Sequence, residues 1–143
     1  MAKKVRDAMT PNVCAAAPTE SLADVAQTMK QEDVGSLPVV EDDRLVGIIT
    51  DRDIVIRAVA ERVDPQSIYV GDVASRDLVT VEPEQDLDEA LALMAHHRVR
   101  RLPVVEDGRL VGVLAQADVA IEAKDKRAGE MVEEISQPNI SRE

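Results

Sequence analysis

The chain has 143 residues, 45% of them hydrophobic and 31% charged, a composition that predicts a globular protein with one core of moderate size. Its formal net charge of −11 argues against nucleic acids and anionic membranes as partners, because both bind clustered cations. The single Cys excludes an internal disulfide and suits a reducing compartment, and no apolar run reaches the ~18 residues of a membrane span, so we expect a cytoplasmic protein.

The first part of the chain predicts a short helix, an extended segment and a longer amphipathic helix, in that order. The short helix covers Lys4 to Met9, and the extended segment covers Val13 to Ala17 and ends at a proline. Ser21 is a predicted helix N-cap, with Asp24 three positions on. The apolar face of the longer helix then follows at Leu22, Val25, Ala26 and Met29.

The next segment predicts a β-hairpin and a further helix. Strands at Leu37 to Val40 and at Leu45 to about Ile49 flank a turn at Asp42-Asp43, and a helix runs from about Asp53 to Arg62. Thr50, at the end of the second strand, stands three residues before Asp53, which is the spacing of a helix cap.

This pattern is present twice, 65 residues apart. LPVVEDDRLVG at 37–47 and LPVVEDGRLVG at 102–112 differ at one position. An ungapped comparison of residues 5–58 with residues 70–123 gives 19 identities in 54 positions, which indicates an internal duplication. The second copy has Asp107-Gly108 at its turn, a strong hairpin signal. It also repeats the apolar helix face, at Leu87, Ala90, Leu91 and Met94.

Each copy therefore reads β-α-β-β-α, which predicts an α+β fold of two repeats, at residues 4–62 and 66–123. The strands are apolar on both sides, so both faces of each sheet need cover. Helices would cover one face and the other copy's sheet the second. The two sheets would then pack about a pseudo-twofold axis, leaving two related clefts walled by both copies. The charged tail, residues 124–143, is predicted to be partly helical or mobile.

The tandem arrangement resembles a pair of cystathionine-β-synthase (CBS) domains, also called a Bateman module. The resemblance rests on the order LPVV, hairpin, LVG with two hydrophobic residues, then T-x-x-D, and it covers about residues 4–123. Within the family the stretch TDRDIVI at 50–56 is most similar to small bacterial stand-alone CBS-pair proteins, including hypoxia- or stress-induced ones.

The resemblance implies a regulatory module rather than an enzyme. Such modules commonly bind AMP, ADP, ATP or another adenosine-containing ligand, and they commonly dimerise. With no catalytic domain attached, any output would go through a separate partner protein.

The resemblance also implies a ligand site that begins at the family motif, which Gly47, Thr50 and Asp53 match. In the family the Thr faces the ribose and phosphate, and the Asp binds the ribose. An ionised carboxylate offers two acceptor oxygens to the two ribose hydroxyls. On spacing alone the same pair would simply cap the following helix, so both roles stay open here.

The second copy would bind the phosphate and, together with Ile48 of the first copy, the adenine. The densest basic run, HHRVRR at 96–101, ends in Arg100 and Arg101, and a guanidinium donates two hydrogen bonds at once to phosphate. The alternative, favoured for the two histidines, is that these cations complement a helix C-terminal dipole. The adenine would lie on aliphatic side chains, and backbone of the second copy would read its edge. The residues of this part of the site are Ile48, Asp77, Leu78, Val79, Val99 and Pro103.

The pseudo-symmetric second site departs from the motif. Ala115 stands where Thr is expected, and Gly35 and Ser36 stand where the first site has its arginines, so phosphate finds no cation on this strand. We expect a weak or empty site, with Asp118 acting instead as a helix N-cap. The predicted residues of this second site are Asn12, Val13, Cys14, Ser36 and Asp118.

Rival functions have less support in the sequence. A metal enzyme or a cysteine hydrolase would have to use Cys14, His96 and His97, but adjacent histidines point different ways on a helix, and a Cys in an apolar strand is favoured as a core residue. We therefore predict no metal and no catalysis. The stronger alternative is a ligand-free interaction scaffold with vestigial clefts. Self-complementary helix faces also predict a homodimer.

Overall fold

The computed structural model describes residues 3–120 and confirms the α+β class. The helices are α1 (Val5–Ala8), α2 (Leu22–Glu32), α3 (Asp51–Ile54), α4 (Val70–Val73) and α5 (Leu87–His97). The strands are β1 (Thr10–Pro11), β2 (Ser36–Glu41), β3 (Arg44–Thr50), β4 (Arg101–Glu106) and β5 (Arg109–Ala115). A π-helical turn covers Val55–Val59, a 3₁₀ turn covers Pro65–Ser67, and a last helix begins over residues 116–120. The predicted tail at 124–143 lies outside the described residues.

Both predicted hairpins are present. β2 pairs antiparallel with β3, and β4 pairs antiparallel with β5, in the same register. Their turn residues all have positive φ: 53° and 67° at Asp42 and Asp43, and 54° and 81° at Asp107 and Gly108. Two consecutive left-handed residues form the type of turn whose twist matches that of the flanking strands. The two hairpins meet at these turns, where Arg44 pairs with Arg109.

A short segment in each repeat, at residues 10–16 and 75–81, runs from the opposite repeat's hairpin to the hairpin of its own repeat. We call these the crossing segments. In the first repeat, β1 pairs with β5, and Ala16 then forms a parallel bridge to Val39. In the second repeat, Ser75 exchanges backbone hydrogen bonds of 3.0 and 2.9 Å with Ile48, and Val81 then bridges to Val104. Each crossing segment therefore hydrogen-bonds to both hairpins and connects them. The two segments are related by the 65-residue offset.

This crossing differs from the single extended segment predicted at Val13–Ala17. The structure places the strand earlier, at Thr10–Pro11, with an isolated bridge at Ala16. The two hairpins have nearly the same sequence, so the sequence of the segment does not indicate which hairpin it pairs with. The switch from β5 of the second repeat to β2 of the first could therefore not be predicted.

The helix before each crossing segment packs in the opposite repeat's core. Val5 of α1 is fully buried among the residues of the second core, and Val70 and Val73 of α4 are buried in the first. Across the repeats Lys4 forms an ion pair with Asp86 (3.3 Å), and Arg6 pairs with a glutamate, Glu84. The hydrogen bond to this glutamate raises the pKa of the exposed Arg6 guanidinium.

The two cores are aliphatic, as the near absence of aromatic residues requires. The first contains α2 and the β2–β3 hairpin, and the second contains α5 and the β4–β5 hairpin. Among the described residues no polar or charged side chain is buried. None of the described helices combines the length and the apolar character needed to cross a bilayer.

The helix after β3 begins earlier than predicted. Thr50 is its N-cap and Asp51 its first residue, whereas the sequence placed the start at about Asp53. The regular part is short, because a π-helical turn replaces it from Val55 onward. The capping geometry at Thr50 sets this early start.

Candidate functional site

One groove on the described part of the chain has walls from both repeats. We call it groove A; its volume is about 750 Å³, within the ~300–1,000 Å³ typical of small-molecule sites. It is lined in the first repeat by Gly35, Ser36, Pro38, Ile48, Thr50, Asp51 and Arg52, and in the second by Arg98, Val99, Arg100, Arg101, Pro103 and Val113.

A second groove, groove B, lies beside the first and has a volume of about 440 Å³. Its lining residues are Thr10, Asn12, Val13, Cys14, Glu32, Val34, Ser36, Leu37, Pro38, Arg101, Val113, Ala115, Ala117 and Asp118. Four residues line both grooves: Ser36, Pro38, Arg101 and Val113. The grooves are therefore adjacent halves of one indented surface, separated by a wall that both repeats supply.

Groove A collects positive charge on a strongly acidic chain. Four arginines line it against one carboxylate, that of Asp51. Arg98, Arg100 and Arg101 come to one place because α5 ends at Arg98 in the left-handed conformation (φ 57°), which turns the chain directly into β4. Arg52 joins them from α3 of the first repeat. A groove with an excess of guanidinium groups favours an anion that can accept several hydrogen bonds, such as a phosphate.

Thr50 and Asp53 cap α3 reciprocally. The Thr50 hydroxyl oxygen accepts a hydrogen bond from the Asp53 backbone N–H (3.1 Å), and Asp53 Oδ2 accepts one from the Thr50 backbone N–H (2.9 Å). This is a complete capping box at the edge of groove A. The capping role that the spacing indicated is therefore present, and it engages one of the two Asp53 carboxylate oxygens.

Six of the ten residues predicted for the first site line groove A together: Ile48, Thr50, Val99, Arg100, Arg101 and Pro103. Asp53 is not a lining residue, since its carboxylate is turned towards the backbone of Thr50. Asp77, Leu78 and Val79 do not line it either. They belong to the crossing segment, whose ends hydrogen-bond to Ile48 and Pro103 in the groove wall.

Three charged lining residues were missed by the sequence reasoning: Asp51, Arg52 and Arg98. Arg98 lies in the basic run at 96–101, of which only the last two arginines were selected. Asp51 and Arg52 stand inside the T-x-x-D motif, at positions that the motif leaves unspecified. Both residues line the groove in the first turn of α3, which begins at Asp51 and not at about Asp53 as the sequence predicted.

All five residues predicted for the second site line groove B: Asn12, Val13, Cys14, Ser36 and Asp118. Two expectations about them were wrong. Cys14 is exposed rather than a core residue, because its segment crosses between the hairpins at the surface. Asp118 is not an N-cap, because the last helix already begins at residue 116; its Oδ2 accepts a hydrogen bond from the Thr10 hydroxyl (3.5 Å).

The histidines do not form a metal site with other ligands in the part of the chain that is described. His96 and His97 end α5, exposed, with their rings edge to face and 4.8 Å between centroids. Within residues 3–120 no group of three or more His, Cys, Asp or Glu side chains could hold a metal ion.

Comparison with known proteins identifies the repeats. The CBS domain model matches residues 5–59 and 70–125. The CBS domain-containing protein YhcV of Bacillus subtilis (strain 168) is 41% identical over 137 residues, which cover 95% of this chain and 97% of that protein.

Two solved structures are also similar. A structure named Hypoxic Response Protein I with two coordinated zinc ions is 39% identical with a TM-score of 0.76, covering 84% of this chain and 98% of that one. A structure of CBSX2 in complex with AMP is 28% identical with a TM-score of 0.76, covering 87% and 98%. These matches confirm the resemblance, and the chain belongs to the CBS domain family as a tandem pair of CBS repeats.

Proposed function

We propose that this chain is a non-catalytic regulatory module that binds an adenosine-containing ligand of the AMP, ADP or ATP type in groove A and signals to a separate partner protein. The main support for this proposal is the lining of groove A. Four arginines and Thr50 converge there from the two repeats of a chain with a net charge of −11. CBS-pair proteins are regulatory modules, and the AMP complex of CBSX2 supports the choice of ligand.

In the proposed complex the ribose lies against Thr50 and Asp53. The capping box occupies Asp53 Oδ2, which leaves Oδ1 as the acceptor for a ribose hydroxyl. Arg100 and Arg101 bind the phosphate from the opposite wall, joined by the missed residues Arg52 and Arg98. A carboxylate and several guanidinium groups would thus bind the two polar parts of one nucleotide.

The adenine ring would contact aliphatic residues, because aromatic side chains are almost absent from this chain. Ile48, Val99 and Pro103 line groove A and supply such a surface. The crossing segment at Asp77–Val79 runs between Ser75, bonded to Ile48, and Val81, bonded to Pro103, which supports our proposal that its backbone reads the adenine edge. The site would therefore use Leu78 and Val79 from the segment that joins the two hairpins.

The proposal also covers the oligomeric state and the cellular location. The module consists of repeats at 4–62 and 66–123 and acts as a homodimer in the cytoplasm, without nucleic acid, membrane or metal as a partner. The solved structure of a hexameric CBS-CP12 protein, 28% identical with a TM-score of 0.72, supports oligomerisation in this family. Groove B is the weaker site, since one arginine faces two carboxylates there.

The test is calorimetric titration of the full chain with AMP, ADP, ATP and adenosine, followed by thermal unfolding with each. A ligand at 100 times its Kd stabilises the fold by ~2.7 kcal/mol, which raises Tm by several degrees. We expect one nucleotide per chain at the stronger site and such a rise in Tm. No heat and no rise with any of the four ligands would contradict the proposal.

A ligand-free interaction scaffold is the second candidate, and one observation favours it. Thr50 and Asp53 already satisfy each other in a complete capping box, so the motif has a structural reason to exist without any ligand. On this alternative the exposed apolar residues of the helix that follows bind a protein. Full-length chain that dimerises or captures a partner equally well with and without adenine nucleotides, and binds none of them, would support this candidate.

A further inference from the structure

We propose that Arg101 couples the two grooves: its guanidinium serves whichever groove holds an anion, so an anion in groove A weakens anion binding in groove B. The inference rests on the proposed function, because it takes groove A as a nucleotide site. Arg101 is exposed, begins β4 and lines both grooves.

The shared wall has an unequal pair of residues. Ser36 and Arg101 correspond by the 65-residue offset, each is the first residue of its strand, and each lines both grooves. A symmetric protein would have two guanidinium groups at this wall, one for each groove. Here one side carries a hydroxyl and the other a guanidinium, so the grooves share one cation.

The grooves differ in how much they depend on that cation. Groove A has three further arginines, Arg52, Arg98 and Arg100. Among the described residues, groove B is lined by no other Lys or Arg, and it carries the carboxylates of Glu32 and Asp118. When a phosphate in groove A engages Arg101, groove B is left with two carboxylates and repels an anion. The coupling is reciprocal by linkage, and a coupling of roughly 5-fold to 150-fold is typical between two sites.

Cys14 supplies a direct reporter for groove B. It is the single Cys of the chain, it is exposed, and it lines groove B and not groove A. The thiol of Cys14 can react with a dianionic disulfide, dithiobis(nitrobenzoate), or with a neutral one, dithiodipyridine. The ratio of the two reaction rates, dianionic over neutral, measures how well groove B accepts an anion. Because both rates fall together when the thiol is merely shielded, the ratio separates charge from access.

The experiment measures this ratio in the full chain, with and without AMP at many times its measured Kd, for the parent, Arg101→Gln and Arg101→Lys. We expect AMP to lower the ratio at least about fivefold in the parent. Without AMP, Arg101→Gln should already have the low ratio, and AMP should change it little. Arg101→Lys keeps the charge and should restore most of the parent ratio.

Arg52→Ala is the matched control, since Arg52 lines groove A alone. It should weaken AMP binding yet keep the AMP-induced fall in the ratio once groove A is saturated. A ratio that does not respond to bound AMP, or that falls as far in Arg101→Gln as in the parent, would overturn the coupling while leaving the proposed function in place.

If no adenine nucleotide binds by calorimetry, the proposed function fails, and the AMP arm of this inference fails with it. The ratio of Arg101→Gln without AMP still decides whether Arg101 serves groove B.

Discussion

The carboxylate of Asp53 caps α3, and in the proposed complex it also binds the ribose. One oxygen closes the capping box with Thr50, and the other is left for a ribose hydroxyl. A cap contributes stability whether or not a ligand is present, whereas the ribose contact contributes only to binding. The two roles can therefore be separated by comparing the loss of this cap with the loss of a cap that lies away from the grooves.

Asp53→Ala should lower the free energy of unfolding by ~1 kcal/mol, the usual cost of a lost cap, and abolish the rise in Tm with AMP. Ser21→Ala is the matched control, because the Ser21 hydroxyl caps α2 by accepting from the Asp24 backbone N–H (3.1 Å) and lines neither groove. It should cost about the same stability and leave AMP binding unchanged. Thermal unfolding with and without AMP checks both; an Asp53→Ala protein that binds AMP as tightly as the parent would refute the ribose assignment.

Arg101→Ala should weaken AMP roughly 10-fold to 100-fold and adenosine far less, because a hydrogen bond to a charged group contributes about 1.5–3 kcal/mol. Arg109→Ala removes the same charge from the first residue of β5, outside both grooves, and should leave both affinities close to those of the parent. Calorimetric titrations with the two ligands measure the difference. Equal losses for AMP and adenosine in Arg101→Ala would rule out a phosphate contact.

At the scale of elements, the two crossing segments determine the positions of the groove walls. The glycine of each LVG sequence allows them to pass, since a Cβ on Gly112 would lie 2.8 Å from the backbone oxygen of Thr10, and one on Gly47 would lie 3.0 Å from that of Ser75. Backbone atoms held in strand pairing cannot move aside cheaply. The glycine that defines the family motif therefore has a packing reason in this chain.

Gly112→Ala should consequently destabilise the fold by about 1–3 kcal/mol, the usual cost of overpacking. Gly35→Ala is the matched control: its Cβ would lie 3.0 Å from Asp51 Oδ2, the end of an exposed side chain that can rotate away. Denaturant unfolding of the two variants compares them. A Gly112→Ala protein as stable as Gly35→Ala would show that the crossing segment is not held tightly.

Much of this element structure was predictable from the sequence, for identifiable reasons. The hairpins have turn residues that adopt positive φ, and α2 has its N-cap at Ser21, so local sequence determines them. The crossing segments and the exchange of α1 and α4 were missed, because two nearly identical hairpins present the same local pattern as partners. In the site, Arg52 and Arg98 were missed for a related reason: only the path of the backbone turns them towards groove A.

At the scale of the whole molecule, the part of the chain that the structure describes carries an exposed apolar surface at residues 55–63. Val55, Ile56, Val59 and Val63 are 51%, 44%, 66% and 42% exposed; the first three lie in the π-helical turn after α3, and Val63 follows that turn. Four exposed aliphatic side chains within nine residues favour burial against a second copy, which supports the proposed twofold homodimer. This surface adjoins α3, so a dimer contact would lie one short helix away from the Thr50 cap.

Val59→Asp should convert the proposed dimer to a monomer at micromolar concentration, because it places a charge at the most exposed of the four aliphatic residues. Tyr69→Asp is the matched control, since Tyr69 is 54% exposed and lies outside this surface, and it should leave the dimer intact. Sedimentation equilibrium distinguishes the two states. A parent protein that is already monomeric, or a Val59→Asp protein that remains a dimer, would exclude this surface as the contact.

If both repeats hold one nucleotide in groove A, AMP should change the environment of backbone amides in both repeats at once. In a titration of the isotopically labelled full chain with AMP, followed by NMR, we expect the amides of Thr50–Asp53 in the first repeat and those of Val99–Arg101 in the second to shift together, with the same Kd. Shifts confined to one repeat, or no shifts with AMP, ADP or ATP, would contradict it.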